Sequence, residues 1–395
     1  MDKTKKDLVV STAHRLLKTT NKILKHHHST SMIDTSWVSE FYKWADINNI
    51  SEAIIPRDRD KLLSLKELNL SNLKLFTLPK EIGNLSNLTG LYLGNNNLFT
   101  LPKEIGNLVN LKGLYLGHNK LEYLPKEIGN LKNLIALFLG HNYLKSIPKE
   151  IGNLSNLVSL NISRNELSTI PKEIGNLTNL EGLHLGRNHL VSIPKEIGNL
   201  TKLIGLYLGE NRLEKFVNIE KLESLEELYL NSNKLKHIPK EIGNLLSLSK
   251  LSLGDNEIIE IPKEIGELSS LEELYLYSNK IEYIPEEIGK LTNLISLFLG
   301  SNQIISIPKE IKNLHFLEEL YLFGNQLKVL PVEICKLLNL KKIDIYANHI
   351  KKLPDCIREL SNLKKFDAEE NKIVLTKHQE VFFNELKNKG ALIKC

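Results

Sequence analysis

Apolar residues, mostly leucine, return along this chain with a period of 23 residues. Within each period, the LxL core of the segment LxxLxL alternates apolar and polar positions, which is typical of a short strand with one buried face. The segment PxEIGNL follows, where proline fixes φ and the remaining residues suffice for one or two helical turns. Because so short a unit cannot bury its own leucines, the pattern predicts consecutive units stacked into one continuous parallel sheet.

The full phrase is LxxLxLxxNxLxxLPxEIGNLxN, and it is repeated in fourteen units. The units begin at Leu65, Leu88, Leu111, Leu134, Leu157, Leu180, Leu203, Leu225, Leu248, Leu271, Leu294, Leu317, Leu340 and Leu363. Thirteen units carry an asparagine whose amide can satisfy backbone groups where the chain turns, and Leu73 replaces it in the first. Fourteen strands spaced about 4.8 Å apart predict a curved ladder about 60 Å long.

One unit, residues 203–224, is irregular because it lacks the proline and the EIG phrase and is one residue shorter. We interpret it either as ordinary drift of the repeat or as a hinge that alters the curvature of the array.

Both ends of the array carry segments that predict covering helices. Residues 36–49 form an amphipathic pattern, and residues 376–390 predict a closing helix that ends at Gly390. The side chains expected to pack on the array are Trp37, Phe41, Trp44, Val381, Phe382 and Leu386. We divide the chain into a basic N-terminal helix or tail (1–30), a helical cap with a half repeat (31–64), the repeat array (65–375) and a C-terminal helical cap (376–395).

The phrase LPKEIGNLxNLxxLxLxxNxL covers about four fifths of the chain and resembles the repeats of a known class. It is similar to the leucine-rich repeats of Ras-suppressor-like, plant intracellular Ras-group-related and many bacterial proteins, including effectors delivered into host cells. The resemblance implies an α/β repeat fold: a right-handed leucine-rich-repeat solenoid with a parallel concave sheet, short helical or 3-10 convex segments and helical caps. It also implies that the concave sheet binds a protein, without indicating which one.

Recognition is expected where the units differ and where side chains leave the sheet. The residue between the two strand leucines is a ring in nine units: Tyr92, Tyr115, Phe138, His184, Tyr207, Tyr229, Tyr275, Phe298 and Tyr321. The flanking outward residues are mostly glycine in the first half, which we interpret as keeping the space beside the rings open. In the second half they include Glu227, Glu273, Glu319, Tyr277, Phe323 and Tyr346. This surface is predicted to bind a partner; alternatively, its rings only stack across strands and stabilise the sheet.

Charged residues are predicted to form two strips beside the rings. One residue beyond the strand, His118, His141, Arg164 and Arg187 form a basic strip, which either contacts an acidic segment of a partner or is a solvated rim. The paired glutamates of the second half, at 226/227, 272/273 and 318/319, are expected to stack as an acidic strip, followed by lysines. This change of sign predicts a preferred direction for a bound chain. A zinc ion could reach both histidines, but no cysteine or carboxylate completes that site.

The formal net charge of +5 resides in residues 1–30, since the remaining residues balance 45 basic against 45 acidic side chains. That balance argues against a nucleic-acid-binding body. Residues 5–25 could pack on the solenoid, remain a disordered basic tail or lie on a membrane surface. No secretory signal or membrane span is visible in the sequence.

The chain has three cysteines, Cys335, Cys356 and Cys395, which are too few and too clustered to staple it. We therefore expect reduced thiols. Cys335 and Cys356 are 21 residues apart and so out of phase with the repeat. Nucleophile motifs and phosphate-binding loops are also absent, so the sequence predicts no enzyme and no cofactor.

The sequence thus predicts a non-enzymatic, monomeric, cytoplasmic scaffold or adaptor that binds a protein or peptide partner on its concave aromatic face, and no nucleic acid. The alternative is a bacterial effector, secreted into a host cell without a classical signal peptide, that binds and redirects a host signalling or ubiquitination component without catalysis. A third hypothesis is an enzyme with a cryptic metal site.

Overall fold

A computed structural model of the protein describes residues 37–216 and 219–395. The predicted basic N-terminal segment (1–30) lies outside the described residues. Three α-helices are present in the described part: Val38–Ile47 (α1), Arg59–Ser64 (α2) and Lys377–Asn388 (α3).

Fifteen strands of three residues each form a single parallel sheet in which the strand order follows the chain. The strands are Glu67–Asn69 (β1), Gly90–Tyr92 (β2), Gly113–Tyr115 (β3), Ala136–Phe138 (β4), Ser159–Asn161 (β5), Gly182–His184 (β6), Gly205–Tyr207 (β7), Glu227–Tyr229 (β8), Lys250–Ser252 (β9), Glu273–Tyr275 (β10), Ser296–Phe298 (β11), Glu319–Tyr321 (β12), Lys342–Asp344 (β13), Lys365–Asp367 (β14) and Leu392–Lys394 (β15). Equivalent residues pair between neighbouring strands, as Leu91 does with Leu114. The period of the sequence therefore sets the register of the sheet, and the predicted parallel ladder is confirmed.

The convex side carries one short 3-10 helix in nearly every repeat, each preceded by a proline with φ close to −65°. These helices are Lys80–Asn84, Lys103–Asn107, Lys126–Asn130, Lys149–Asn153, Lys172–Asn176, Lys195–Asn199, Lys240–Asn244, Lys263–Glu267, Glu286–Lys290, Lys309–Asn313, Val332–Lys336 and Asp355–Glu359. The described residues form an open solenoid of stacked repeats with few α-helices, as the repeat pattern predicts.

The space between the sheet and the convex helices is filled by the repeated leucines and isoleucines, nearly all of them completely buried. The repeated asparagines close the turn beside this core. In Asn142, the amide nitrogen donates to the carbonyl oxygens of Leu116 and Leu139, both at 3.0 Å. Its side-chain oxygen accepts the N–H of Leu121 at 3.0 Å. Each buried asparagine thus satisfies backbone groups of its own and the preceding repeat, in the role that the sequence predicted.

Neighbouring 3-10 helices approach most closely at a glycine. A Cβ on Gly106 or Gly129 would lie 2.5 or 2.4 Å from the main-chain oxygen of the glutamate that is 21 residues later, Glu127 or Glu150. This close convex contact between two repeats is therefore offset by two residues from the 23-residue register of the strands.

This offset explains why the expectation of reduced cysteines is wrong for two of the three. Cys335 occupies the glycine position and Cys356 the glutamate position of the next repeat, and the two form a disulfide with their Cα atoms 5.7 Å apart. The separation of 21 residues that appeared out of phase is the separation of closest approach. Cys395 is free and exposed.

Helices cover both ends of the sheet. In α1, Phe41 is fully buried and its ring contacts the rings of Trp37 and Trp44, which are partly buried. The segment that aligns with the first half repeat forms α2, which is capped by the carboxylate of Asp58 accepting the N–H of Lys61 at 2.8 Å. The predicted amphipathic N-terminal helix is thus confirmed in its position and in its packing residues.

At the other end, α3 begins with a capping box between Thr376 and Gln379. Phe382 and Leu386 are buried as predicted, but the prediction for Val381 is wrong: its side chain is 58% exposed. Phe383 packs in its place, with its ring stacked 4.9 Å from that of Phe366. After Gly390, which has φ +89°, the chain returns to form β15, a strand that the sequence pattern did not predict.

The irregular unit keeps its strand, β7, and its core but has no 3-10 helix in its described residues. Phe216 and Ile219 are buried at the convex side of this unit. Its effect on curvature remains a prediction.

Candidate functional site

The concave surface consists of three rows of side chains, because the strand leucines point inward and the residues around them point outward. We name the rows from β2: Gly90 belongs to the leading row, Tyr92 to the ring row and Gly94, just after the strand, to the trailing row. The in-register pairing of strands places equivalent residues of successive repeats side by side along each row.

The ring row contains three separate stacks of three rings. Their members are Tyr92, Tyr115 and Phe138; His184, Tyr207 and Tyr229; and Tyr275, Phe298 and Tyr321. Centroid separations between neighbours run from 4.2 to 5.2 Å, with nearly parallel planes. Asn161 and Ser252 separate the stacks, and Asp344 and Asp367 follow the last one. All nine rings are partly exposed.

Tyrosine rings lie over the leading-row glycines of their own strands, so the interpretation that these glycines keep open space is wrong there; partly exposed Gly182, where an added Cβ would lie 3.7 Å from His184 Nε2, is the exception. A Cβ on Gly113 or Gly205 would lie only 2.8 or 2.7 Å from the ring of Tyr115 or Tyr207. These two glycines are accordingly buried, whereas the trailing glycines of the first half are partly exposed. Glycine in the leading row gives the ring of its own strand room to lie down, and space beside the ring remains open only on the trailing side.

In the second half, glutamates of the leading row bind tyrosine hydroxyl groups. Tyr207 donates to Glu227 at 2.8 Å, Tyr321 donates to Glu319 at 3.3 Å, and Tyr275 donates to Glu273. Burial, then the hydrogen bond and the nearby charge, raises the pKa of Tyr207 and of Tyr275 well above the ordinary value. These hydroxyl groups are therefore neutral donors held in fixed directions at physiological pH.

Burial also alters two rings that lack a carboxylate partner. Desolvation, with smaller contributions from Tyr92 and Glu67, raises the pKa of Tyr115 to about 12. Desolvation lowers the pKa of His184 to about 4, because the imidazole is packed against Tyr207 with ring centroids 4.2 Å apart. His184 is therefore a neutral member of its stack near pH 7.

The paired glutamates of the second half do not form the acidic strip that the sequence suggested. Glu227, Glu273 and Glu319 lie on alternate strands, and Lys250 on β9 separates the first two. Lys250 forms an ion pair with Glu273 at 2.8 Å, and Lys342 forms one with Glu319 at 2.8 Å. Lys250 lies 23 residues from both Glu227 and Glu273, so the sequence period places it between them. This position was missed because only the repeated glutamate pairs were considered.

The residues of the predicted basic strip lie next to each other in four successive repeats. All four have positive φ, between 55° and 61°. The rings of His118 and His141 are stacked 4.0 Å apart, and Arg187 forms an ion pair with Glu210 at 2.6 Å. The role of the strip in binding a partner remains a prediction.

The trailing row of the second half contains three aromatic residues: Tyr277, Phe323 and Tyr346. The rings of Tyr277 and Phe323 lie over Gly254 and Gly300 of the preceding repeats, whose added Cβ atoms would be 2.5 and 2.3 Å from them. Both glycines are buried, and Tyr346 is 41% exposed. The trailing row is thus bare in the first half and covered by the protein's own rings in the second.

Within the described residues, no group of three or more His, Cys, Asp or Glu side chains could hold a metal ion. In the same part of the chain, no helix has both the length and the apolar character needed to cross a bilayer.

Comparison with known proteins identifies the class. A family model described as a leucine-rich repeat region matches residues 46–162, 149–252 and 230–323. The chain therefore belongs to the leucine-rich repeat family, whose members are typically binding scaffolds rather than enzymes. A search of curated protein sequences gave no match.

Among solved structures, a leucine-rich-repeat protein of Leptospira interrogans is 41% identical, with a TM-score of 0.80, over 85% of this chain and 86% of that protein. An internalin of Listeria monocytogenes is 27% identical, with a TM-score of 0.71, over 84% of this chain and 96% of the internalin. The ectodomain of the Arabidopsis receptor kinase HAESA, solved with an IDA peptide hormone, is 28% identical with a TM-score of 0.63, and the match covers 78% of this chain and 58% of the ectodomain.

Proposed function

We propose that this protein is a non-enzymatic interaction scaffold that binds a protein or peptide partner on its concave aromatic face. The observation that carries the proposal is the ring row: three stacks of partly exposed rings that follow one another along one surface of the sheet. Tyrosine contributes a large contact area at low conformational cost, which is why aromatic residues are enriched at interfaces.

Two further observations support a binding role over a purely structural one. Several ring hydroxyl groups are fixed by carboxylates while the rings remain partly exposed, so donors and apolar area are preorganised together. The Arabidopsis relative of this fold was solved with a peptide hormone ligand, which supports a peptide or protein as the kind of partner. Cross-strand stacking, worth about 0.5–1.5 kcal/mol per pair, stabilises the sheet in either case.

The proposal is tested by affinity capture with quantitative mass spectrometry on three sets of variants. The concave sets are Tyr92→Ala/Tyr115→Ala/Tyr207→Ala and Tyr275→Ala/Tyr277→Ala/Tyr321→Ala. The control set is Tyr123→Ala/Tyr143→Ala/Tyr283→Ala, which removes three tyrosines that are 56%, 49% and 62% exposed and lie beyond the strands. Thermal melts check that every variant is folded.

We expect at least one partner of the wild-type protein to be lost from a concave set and retained by the control set. If folded variants of both concave sets retain every partner of the wild type, the concave aromatic face is not the binding surface.

A further inference from the structure

The trailing row of the first half forms an open channel whose floor is main chain at five glycines, with the small side chain of Ser163 in the middle, where it and Asn161 lie 3.3 and 3.2 Å from a Cβ added to Gly140. Its residues are Gly94, Gly117, Gly140, Ser163, Gly186 and Gly209, which we call the glycine trough. All six are partly exposed. A Cβ added to Gly94, Gly117 or Gly186 would meet a main-chain oxygen of the next repeat at 3.4, 3.3 or 3.1 Å and no aromatic ring.

The trough has a defined C-terminal end. At one end, the amide of Asn231 lies over Gly209, where an added Cβ would be 2.5 Å from the side-chain oxygen. Beyond this point, Tyr277 and Phe323 cover the equivalent glycines, Gly254 and Gly300. In the second half, the trailing row thus holds aromatic rings that lie over its glycines. In the first half, no ring of the protein lies over Gly94, Gly117 or Gly186.

Two carbonyl oxygens of the floor already accept hydrogen bonds from neighbouring repeats. The carbonyl oxygens of Gly140 and Gly209 already accept the N–H groups of His118 and Arg187, at 2.9 and 2.8 Å. The main chain of another molecule can approach such a floor closely because no Cβ intervenes. Selectivity must therefore come from the two walls.

The two walls differ in chemistry. One is the ring row, with the stack of Tyr92, Tyr115 and Phe138 followed by Asn161, His184 and Tyr207. The other is the basic strip, in which Arg164 and Arg187 carry permanent positive charge. Arg187 remains 39% exposed although it is paired with Glu210, so one face of its side chain is accessible to a ligand.

We propose, building on the concave-face function above, that the glycine trough binds an extended acidic segment of a partner polypeptide. Six strands at about 4.8 Å spacing give a trough about 24 Å long, which accommodates roughly seven extended residues at about 3.3 Å each. The segment lies across the strands with its main chain over the glycines, its carboxylates toward Arg164 and Arg187, and its other side chains on the rings. Arginine is suited to this role because its guanidinium group pairs with carboxylates in two parallel hydrogen bonds.

Ser163 provides the sharpest test, because it already carries a Cβ in the middle of the floor. Ser163→Phe fills the trough as Phe323 fills the second half, and Ser163→Ala removes only the hydroxyl that donates to Asn161 at 2.7 Å. Both variants lose that hydrogen bond, so a difference between them reports the filling alone. Arg164→Gln/Arg187→Gln tests the charged wall, and a thermal melt checks that this variant is folded.

The probe is a phage library of random linear peptides selected on the full-length wild-type protein. We expect the selected peptides to be enriched in Asp and Glu and to bind Ser163→Ala within about twofold of the wild type. Ser163→Phe fills the floor and Arg164→Gln/Arg187→Gln neutralises the wall. Each variant should raise the dissociation constant of the selected peptides about tenfold or more, which corresponds to about 1.4 kcal/mol.

Three results would overturn the proposal: selection without acidic enrichment, peptides that bind Ser163→Phe as tightly as the wild type, or preferential binding of single-stranded poly(U), which would assign the trough to nucleic acid. The concave-face function is judged separately by the tyrosine variants. If partners are lost from the tyrosine variants but retained by folded Ser163→Phe, the scaffold function is supported and only the proposed role of the glycine trough is refuted.

Discussion

At the scale of single residues, the rings are arranged by the leading-row residues around them. The tyrosine rings of β3 and β7 lie on the backbone of Gly113 and Gly205. A glutamate accepts a ring hydroxyl from its own strand, as Glu273 does, or from the preceding strand, as Glu227 does. The sequence allowed the rings and their neighbours to be predicted as one surface. It could not give the direction in which each ring leans, because that depends on side-chain rotamers rather than on the period of the pattern.

His184 gives this surface a measurable pH dependence. Because its folded-state pKa is lowered to about 4, the unfolded chain binds a proton between about pH 6.5 and pH 4 while the folded chain does not. The stability associated with neutral His184 is therefore present above about pH 6.5 and is lost as the pH falls toward 4. The loss is at most about 1.4 kcal/mol per pH unit.

The measurement is urea unfolding at pH 7.5 and pH 5 for the wild type, His184→Phe and His189→Phe. His184→Phe keeps a ring in the stack but cannot titrate, so its unfolding free energy should fall by about 1–2 kcal/mol less than that of the wild type. His189 is an exposed histidine of the same unit, and its variant should follow the wild type. Parallel pH profiles for the wild type and His184→Phe would contradict the assignment.

At the scale of elements, strands and convex helices follow two different registers. Strand residues pair at a separation of 23, as Leu91 does with Leu114, whereas the convex helices touch at a separation of 21, as Gly106 does with Glu127. The sequence period predicts the first register directly. The second depends on how neighbouring 3-10 helices pack, so the Cys335–Cys356 bond could not be inferred by counting repeats.

The disulfide predicts a specific pattern of thiol reactivity. Alkylation of the native protein without reductant should modify Cys395 alone, and alkylation after unfolding and reduction should modify all three cysteines. Cys335→Ser/Cys356→Ser should lower the stability of the C-terminal repeats by about 3 kcal/mol, the chain-entropy value for a loop of this size. Cys395→Ser is the matched control and should leave stability unchanged. Modification of Cys335 in the native, non-reduced protein would exclude the bond.

The C-terminal cap shows a different limit of sequence reasoning. The amphipathic pattern of 376–390 located α3, and the capping box of Thr376 and Gln379 fixed its start. The pattern could not decide between Val381 and Phe383 as packing residues, because both lie near the apolar side of the helix. The ring of Phe366 stacks on Phe383, and this contact makes Phe383 the packing residue.

At the scale of the whole molecule, the strand of the last repeat, β14, is covered in the described structure by β15, and α3 packs against β15. Phe383→Asp places a charge against the buried ring of Phe366, which should detach α3 and β15 and expose the edge of β14. An exposed edge pairs readily with another chain, so this variant should self-associate as its concentration rises.

Light scattering during size-exclusion chromatography measures this outcome. The wild type is expected to elute as a monomer. Val381→Asp changes the same helix at a side chain that is 58% exposed and should also elute as a monomer. If Phe383→Asp is folded and elutes at the wild-type mass at every concentration, the cap is not what keeps the sheet from pairing.

The unit at 203–224 affects how the molecule as a whole melts. In an array whose units contact only their neighbours, folding free energy is a sum of unit and interface terms, so cooperativity is weakest where an interface is smallest. That unit has no 3-10 helix in its described residues, and the glycine trough ends within it, at Gly209. A ligand in the trough would therefore stabilise the N-terminal half selectively, and a single unfolding transition would separate into two, the lower belonging to the half that holds no ligand.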